Sequence, residues 1–116
     1  MPSHRNLDAW QVAMELARNC YRLTDSFPKS ERFGITSQIR RAAVSIPANI
    51  AEGCGRSARG DLLRFLSIAR GSLKELETLL ELAIGLGFGK REEIDAAVAL
   101  AERESRILFK LRRSLQ

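Results

Sequence analysis

The chain is poor in the residues from which most active sites are built. Its 116 residues include one histidine, His4, and two cysteines, Cys20 and Cys54. These fall in no CxxC or Cys/His spacing, so no zinc site is expected. The two thiols read as reduced cysteines of a cytoplasmic protein. One Trp, one Tyr, few β-branched runs and no Asn-Gly or Asp-Gly pair leave almost no strand or hairpin signal. No Walker motif, GxGxxG, HExxH or GxSxG occurs. The run Gly85-x-Gly87-x-Gly89 follows no strand and reads as a loop, not as a phosphate cradle. The N-terminal MPSHRNLDAW has no apolar signal core, and no apolar run approaches the ~20 residues of a membrane span. Glu92 with Glu93, and Glu75 with Glu77, read as solvated helix-surface charges. Ser45 and Asn49 lack a nearby base and read as polar packing or interface residues. The expectation is a soluble, cytoplasmic protein with no cofactor, no membrane partner and no enzymatic activity.

Apolar residues make up 45% of the chain and charged residues 28%, ordinary values for a globular protein. Ala, Leu, Arg and Glu dominate, which predicts a single all-α domain over residues 1–116. Four helices are predicted. The first runs from about Leu7 to Thr24, with Asn6 as its N-cap. A turn at Asp25–Pro28 and a short helical turn within Lys29–Gly34 lead into the second, from Ile35 or Thr36 to about Gly53. There Gly53 or Gly55 is expected to supply a left-handed stop. The third starts after Ser57 as N-cap and closes at Gly85–Gly89, and the fourth covers about Arg91 to Leu115. Short turns dictate an antiparallel up-down-up-down four-helix bundle.

The stretch QIRRAAVSIPANIAEGCGR, Gln38 to Arg56, departs furthest from a generic amphipathic helix. At about 100° per residue, Ile35, Ile39, Ala42, Ala43, Ile46 and Ile50 share one face. Gln38, Arg41, Ser45, Asn49, Glu52 and Arg56 form a narrow polar stripe beside it. Pro47 lies inside this pattern and costs an isolated helix about 3 kcal/mol, so tertiary contacts must hold it. The third helix carries a heptad seam, Leu62, Leu66, Ala69, Leu73, Leu76, Leu80 and Ala83, with a second seam beside it containing Phe65, Ile68, Leu79, Leu82 and Leu86. Together they cover about 200° of the helix, wider than the ~100° stripe that one core requires. The first helix is similarly broad through Val12, Leu16, Cys20 and Leu23. Contiguous excess of this kind marks an interface, so self-association is expected, with Phe65, Ile68, Leu79, Leu82, Val12 and Leu16 as the contact residues.

Net charge is +5, with a pI near 9.9. Antiparallel packing gathers Arg5, Arg56, Arg59, Arg64, Lys110, Arg112 and Arg113 at one pole against Asp8, Glu52 and Asp61, a net of +4. The opposite pole carries Lys29, Arg32, Lys90 and Arg91 against Asp25, Glu31, Glu81, Glu92, Glu93 and Asp95, a net of −2. A basic end face binds phosphates without reading sequence, and Arg56, Arg59, Arg112 and Arg113 are its candidate nucleic-acid contacts. Plain solvation of these charges is the competing reading. Glu104 falls in the middle of the fourth helix's apolar face. Since a buried carboxylate is costly unless paired, it is expected to meet an arginine such as Arg41, within the bundle or across a subunit boundary.

The segment ERFGITSQIRRAAVSIPANIAEGCGR (Glu31–Arg56), followed by RFLSIARGSLKELETLLELA (Arg64–Ala83), closely resembles the four-helix-bundle family of 23S rRNA intervening-sequence proteins. That family is related to the accessory proteins of diversity-generating retroelements. The likeness runs from LDAWQVAMELA (Leu7–Ala17) to the RRSL ending, and Ser45–Gly53 is its most specific part. The resemblance implies a bundle assembling into a closed ring of five with no enzymatic activity. It also implies contact with RNA or other nucleic acid through a basic surface. A protein-interaction scaffold, serving a partner enzyme such as a reverse transcriptase, is the alternative. The chain departs from the family pattern at Glu104, where the family is usually apolar, and at Gly60, where a better helix former is common.

Overall fold

Apolar residues spaced three and four apart give four long helices. The computed structural model describes residues 3–116. The helices are α1 (Asp8–Thr24), α2 (Ile35–Cys54), α3 (Arg59–Leu86) and α4 (Arg91–Leu115), with single 3-10 turns at His4–Asn6 and Lys29–Glu31. No strand occurs among the described residues. Each helix packs on its sequence neighbours and α1 closes on α4, while the diagonal pairs do not meet. The short connections therefore produce a square, up-down-up-down bundle of 43 × 23 × 20 Å. One continuous core fills it, from Leu16, Ile39, Ile46, Ile50, Leu66, Leu73, Leu76 and Leu80 to Ile94 and Leu108.

Several local expectations are corrected. Asn6 lies in the first 3-10 turn and Leu7 is the N-cap of α1, with no side-chain cap bond. Ala58, not Ser57, precedes the first turn of α3, again without a side-chain cap. Neither Gly53 nor Gly55 is left-handed; Gly53 is still helical and Gly55 has φ −79°. Gly53 is required for another reason. A Cβ there would sit 2.9 Å from Phe65 Cβ and 3.0 Å from Leu62 Cδ1, so α2 and α3 approach through its missing side chain. The left-handed stop belongs to α3, where Gly87 has φ +74°. Phe88 N–H donates to Ala83 C=O at 3.0 Å and Gly87 N–H to Ile84 C=O at 3.1 Å, the paired bonds of a Schellman ending. Pro47 is buried within an uninterrupted α2, held by tertiary packing as its cost demands.

Two further expectations change once the core is closed. Val12 and Leu16 are 5% and 0% exposed, so they pack inside the protomer and are not free to meet another subunit. Leu79 is buried likewise. Of the proposed contact residues, Ile68 and Leu82 remain well exposed and Phe65 half-buried. Of the two apolar faces that the spacing made over-wide, only that of α3 leaves members of its second seam exposed, at Ile68, Leu82 and Leu86. A square bundle explains the change, because α1 touches both α2 and α4 and needs two adjoining apolar stripes. Glu104 is fully buried as its position predicted, but no arginine reaches it. Both of its carboxyl oxygens lack a partner among the described residues, and Arg41 is exposed on α2. Burial pushes the Glu104 carboxyl up to about 8, slightly opposed by the nearby Arg103 charge.

Candidate nucleic-acid interface

The four candidate arginines lie toward one end of the bundle but have distinct settings. Arg56 follows the end of α2, exposed, with Nε 3.5 Å from Glu52 Oε2. Its guanidinium lies over the Phe65 ring at 5.2 Å, and Arg64 lies over the same ring at 4.6 Å. Phe65 thereby fixes two cations beside the α2–α3 turn. Arg59 is the first residue of α3 and exposed. A cation at the positive end of a helix macrodipole does nothing for the helix, so Arg59 has no local structural reason to be basic. Arg112 is half-buried on the α3/α4 seam, where its Nη2 donates to Ser67 Oγ at 3.1 Å. Ser67 lies about 12 Å along α3 from Arg59, at 1.5 Å per residue. Arg113 is exposed in the last turn of α4, where a cation complements the helix dipole. Arg56 and Arg59 therefore flank the α2–α3 turn, while Arg112 is engaged on the side of the bundle.

The polar stripe of α2 runs along its border with α3. Ser45 Oγ and Ser72 Oγ are hydrogen-bonded at 2.8 Å, and Asn49 Nδ2 donates to the Ser45 carbonyl at 2.7 Å and to Ser45 Oγ at 3.0 Å. The Ser45–Ser72 bond ties the two helices together at the level where Pro47 forfeits a backbone donor, and the Asn49 bonds brace α2 itself. They leave no free nucleophile with an adjacent base. A groove of about 360 Å³ lined by Gln38, Arg41, Ala42, Ser45, Ser72 and Glu75 lies over this border.

Sequence reasoning missed a larger groove on the α1/α2 side, about 600 Å³ in volume. Arg32, Arg40 and Arg41 line it together with Tyr21, Phe33 and Val44, and no carboxylate does. Arg40 is locked in place. Its Nε donates to Thr24 Oγ1 at 2.9 Å, Nη2 pairs with Asp25 Oδ1 at 3.1 Å, and the guanidinium lies 4.6 Å over the Tyr21 ring. Phe33 is 88% exposed beside Arg32. The signal was available in Arg32-Phe33, but a turn residue has no helical period to give it a face. Counting charges only at helix ends also left Arg40 and Arg41 out.

Among the described residues no cluster of His, Cys, Asp or Glu could hold a metal ion. Among the same residues no helix is long and apolar enough to cross a membrane. Both cysteines carry free thiols, and burial raises both, Cys20 to about 12.

Comparison with known proteins agrees with the bundle. A crystal structure of a protein of unknown function from the S23 ribosomal protein family of Bacteroides thetaiotaomicron superposes with a TM-score of 0.79. It is 25% identical, over 89% of this chain and 96% of that one. No curated protein matches the chain. The family model for the 23S rRNA-intervening sequence protein matches residues 5–110, and over that near-complete span the chain belongs to this family.

Proposed function

We infer that the protein is a non-catalytic homo-oligomer, a ring of five, that binds structured RNA or other nucleic acid through its basic end. The observation that carries this reading is Arg59. It is an exposed cation at the unfavourable end of α3, unpaired by any carboxylate within 4 Å, and it lies in the sequence between Arg56 and Arg64, both over the Phe65 ring. Arg113 adds a second free cation at the end of α4, and Arg112 supports the edge of the same surface. Ring closure is supported by Ile68, Leu82 and Leu86 of α3, exposed apolar side chains that the protomer leaves unused. Parallel protomers would bring every basic end to one face, where their fields add.

The test is binding to a labelled 23S rRNA fragment across a salt series, with assembly followed by analytical ultracentrifugation. The wild-type protein should bind with an affinity that falls steeply with salt. Changing Arg56, Arg59, Arg112 and Arg113 together to Gln should abolish binding and leave the oligomer intact. Unchanged binding by that variant overturns the end-face reading.

The α1/α2 groove favours a second reading, a scaffold that docks a partner protein such as a reverse transcriptase. An 88% exposed Phe33 within an arginine-lined, carboxylate-free groove suits an acidic, apolar protein segment. Absence of RNA binding even at low salt, with capture of a purified reverse transcriptase lost on Phe33→Ala, would establish it over the first.

A further inference from the structure

The outward face of α4 changes sign along its length. Its first turns carry Arg91, Glu92, Glu93 and Asp95, with Arg91 Nε held by Asp95 Oδ1 at 2.9 Å. Its second half presents Arg103, Arg106, Lys110 and Arg113, all exposed. Their spacing of three, four and three residues places them within about 80° of one another on the helix. None is in an ion pair among the described residues. The row is about 15 Å long at 1.5 Å per residue. The exposed Glu102, four residues before Arg106, offers one favourable helix pairing, and helix stability does not account for the rest of the row. The macrodipole rewards cations only in the last turn, and Arg103 and Arg106 lie two to three turns before it. Like charges at i,i+3 and i,i+4 are mildly destabilising.

Beside this row stands Phe109, 61% exposed, in a shallow groove of about 280 Å³ that it shares with Ser105, Arg106 and Lys110. A second copy of the chain meeting this surface would have to bury four like charges, whereas the exposed α3 row offers apolar contact without that cost. Charge and a flat apolar ring together describe a different occupant. Phosphates neutralise the cations, and a base covers the ring. A base inside a duplex is already stacked on its neighbours and has no free face to offer.

We propose that the second half of α4 is a platform for unpaired nucleic acid, with Phe109 stacking one base and Arg103, Arg106, Lys110 and Arg113 following the phosphates of the same strand. This deepens the nucleic-acid reading above by naming an unpaired strand as the ligand, and it assigns that strand to the flank of α4, which shares only Arg113 with the basic end.

The experiment compares a labelled 12-nucleotide oligouridylate with an RNA duplex of equal length, both at low salt. Phe109→Ala should weaken oligouridylate binding about 5- to 150-fold and leave duplex binding unchanged, and Phe109→Trp should restore it. Arg103→Gln with Arg106→Gln should lower the single-strand salt slope by about 1.4, at about 0.7 per phosphate contact. The variant with Arg56→Gln and Arg59→Gln, which leaves the α4 row whole, should still bind oligouridylate. Equal loss of single-strand and duplex binding on Phe109→Ala overturns the platform. So does an altered assembly state with unchanged single-strand affinity. Loss of oligouridylate binding only in that double variant overturns the platform while the end-face reading stands. Retention of rRNA binding by the variant with all four end-face arginines changed to Gln, with loss of oligouridylate binding on Phe109→Ala, has the opposite meaning.

Discussion

Glu104 should make the bundle less stable as pH rises, against the usual behaviour of a carboxylate. Its carboxyl is raised from 4.5 to about 8 by burial, and neither oxygen has a partner among the described residues. The folded state therefore holds this proton more tightly than the unfolded chain does. Stability is full below pH 4.5, where both states are protonated, and falls as pH rises toward 8, where the folded state must ionise in its core. At about 1.4 kcal/mol per pH unit, the loss is about 3 kcal/mol by pH 7 and about 5 kcal/mol above pH 8. That is a large share of the ~5–15 kcal/mol available to a domain. Urea unfolding at pH 5, 7 and 8.5, at fixed protein concentration, measures it directly. Comparison with Glu104→Gln cancels every other titrating group. The wild-type protein should lose several kcal/mol relative to the variant between pH 5 and 8.5, and Glu104→Leu should be more stable than wild type at pH 8.5. Parallel pH profiles for the wild-type protein and Glu104→Gln would refute the argument, since they would mean that the carboxyl is solvated or paired.

Two further perturbations test the packing. Gly53→Ala should destabilise the fold by about 1–3 kcal/mol, because the new methyl meets Phe65 Cβ and Leu62 Cδ1 at about 3 Å; a change below ~0.5 kcal/mol in urea unfolding would mean that α2 and α3 separate freely. A thiol reagent at pH 7.5 should label native protein slowly at one site, the half-buried Cys54. Cys20, unexposed and pushed up to about 12, should react only after unfolding, and rapid labelling of both would contradict the packing of α1.

Much of this architecture was legible because helical periodicity survives without tertiary information. The three-four spacing of Leu62, Leu66, Ala69, Leu73, Leu76, Leu80 and Ala83 produced the buried face of α3. The apolar positions around Pro47 marked α2 as helical despite the proline, and Glu104 read correctly as buried. Helix ends were less legible. Leu7 and Ala58 stand where Asn6 and Ser57 have the better capping chemistry, since local backbone geometry and packing outweigh a capping bond of ~1 kcal/mol.

The sequence by itself determined the number of helices, their antiparallel order and the separation of apolar from charged faces, because each follows from spacing along the chain. Only the tertiary structure decided what happens to a face once helices meet. Val12 and Leu16 became core because α1 is gripped from two sides, and Glu104 was left without the arginine it called for. Arg32, Phe33, Arg40 and Arg41 became one groove because a turn folded back beside α1. Periodicity assigns a residue to a side of its own helix; the neighbour on that side is set by packing between segments far apart in sequence.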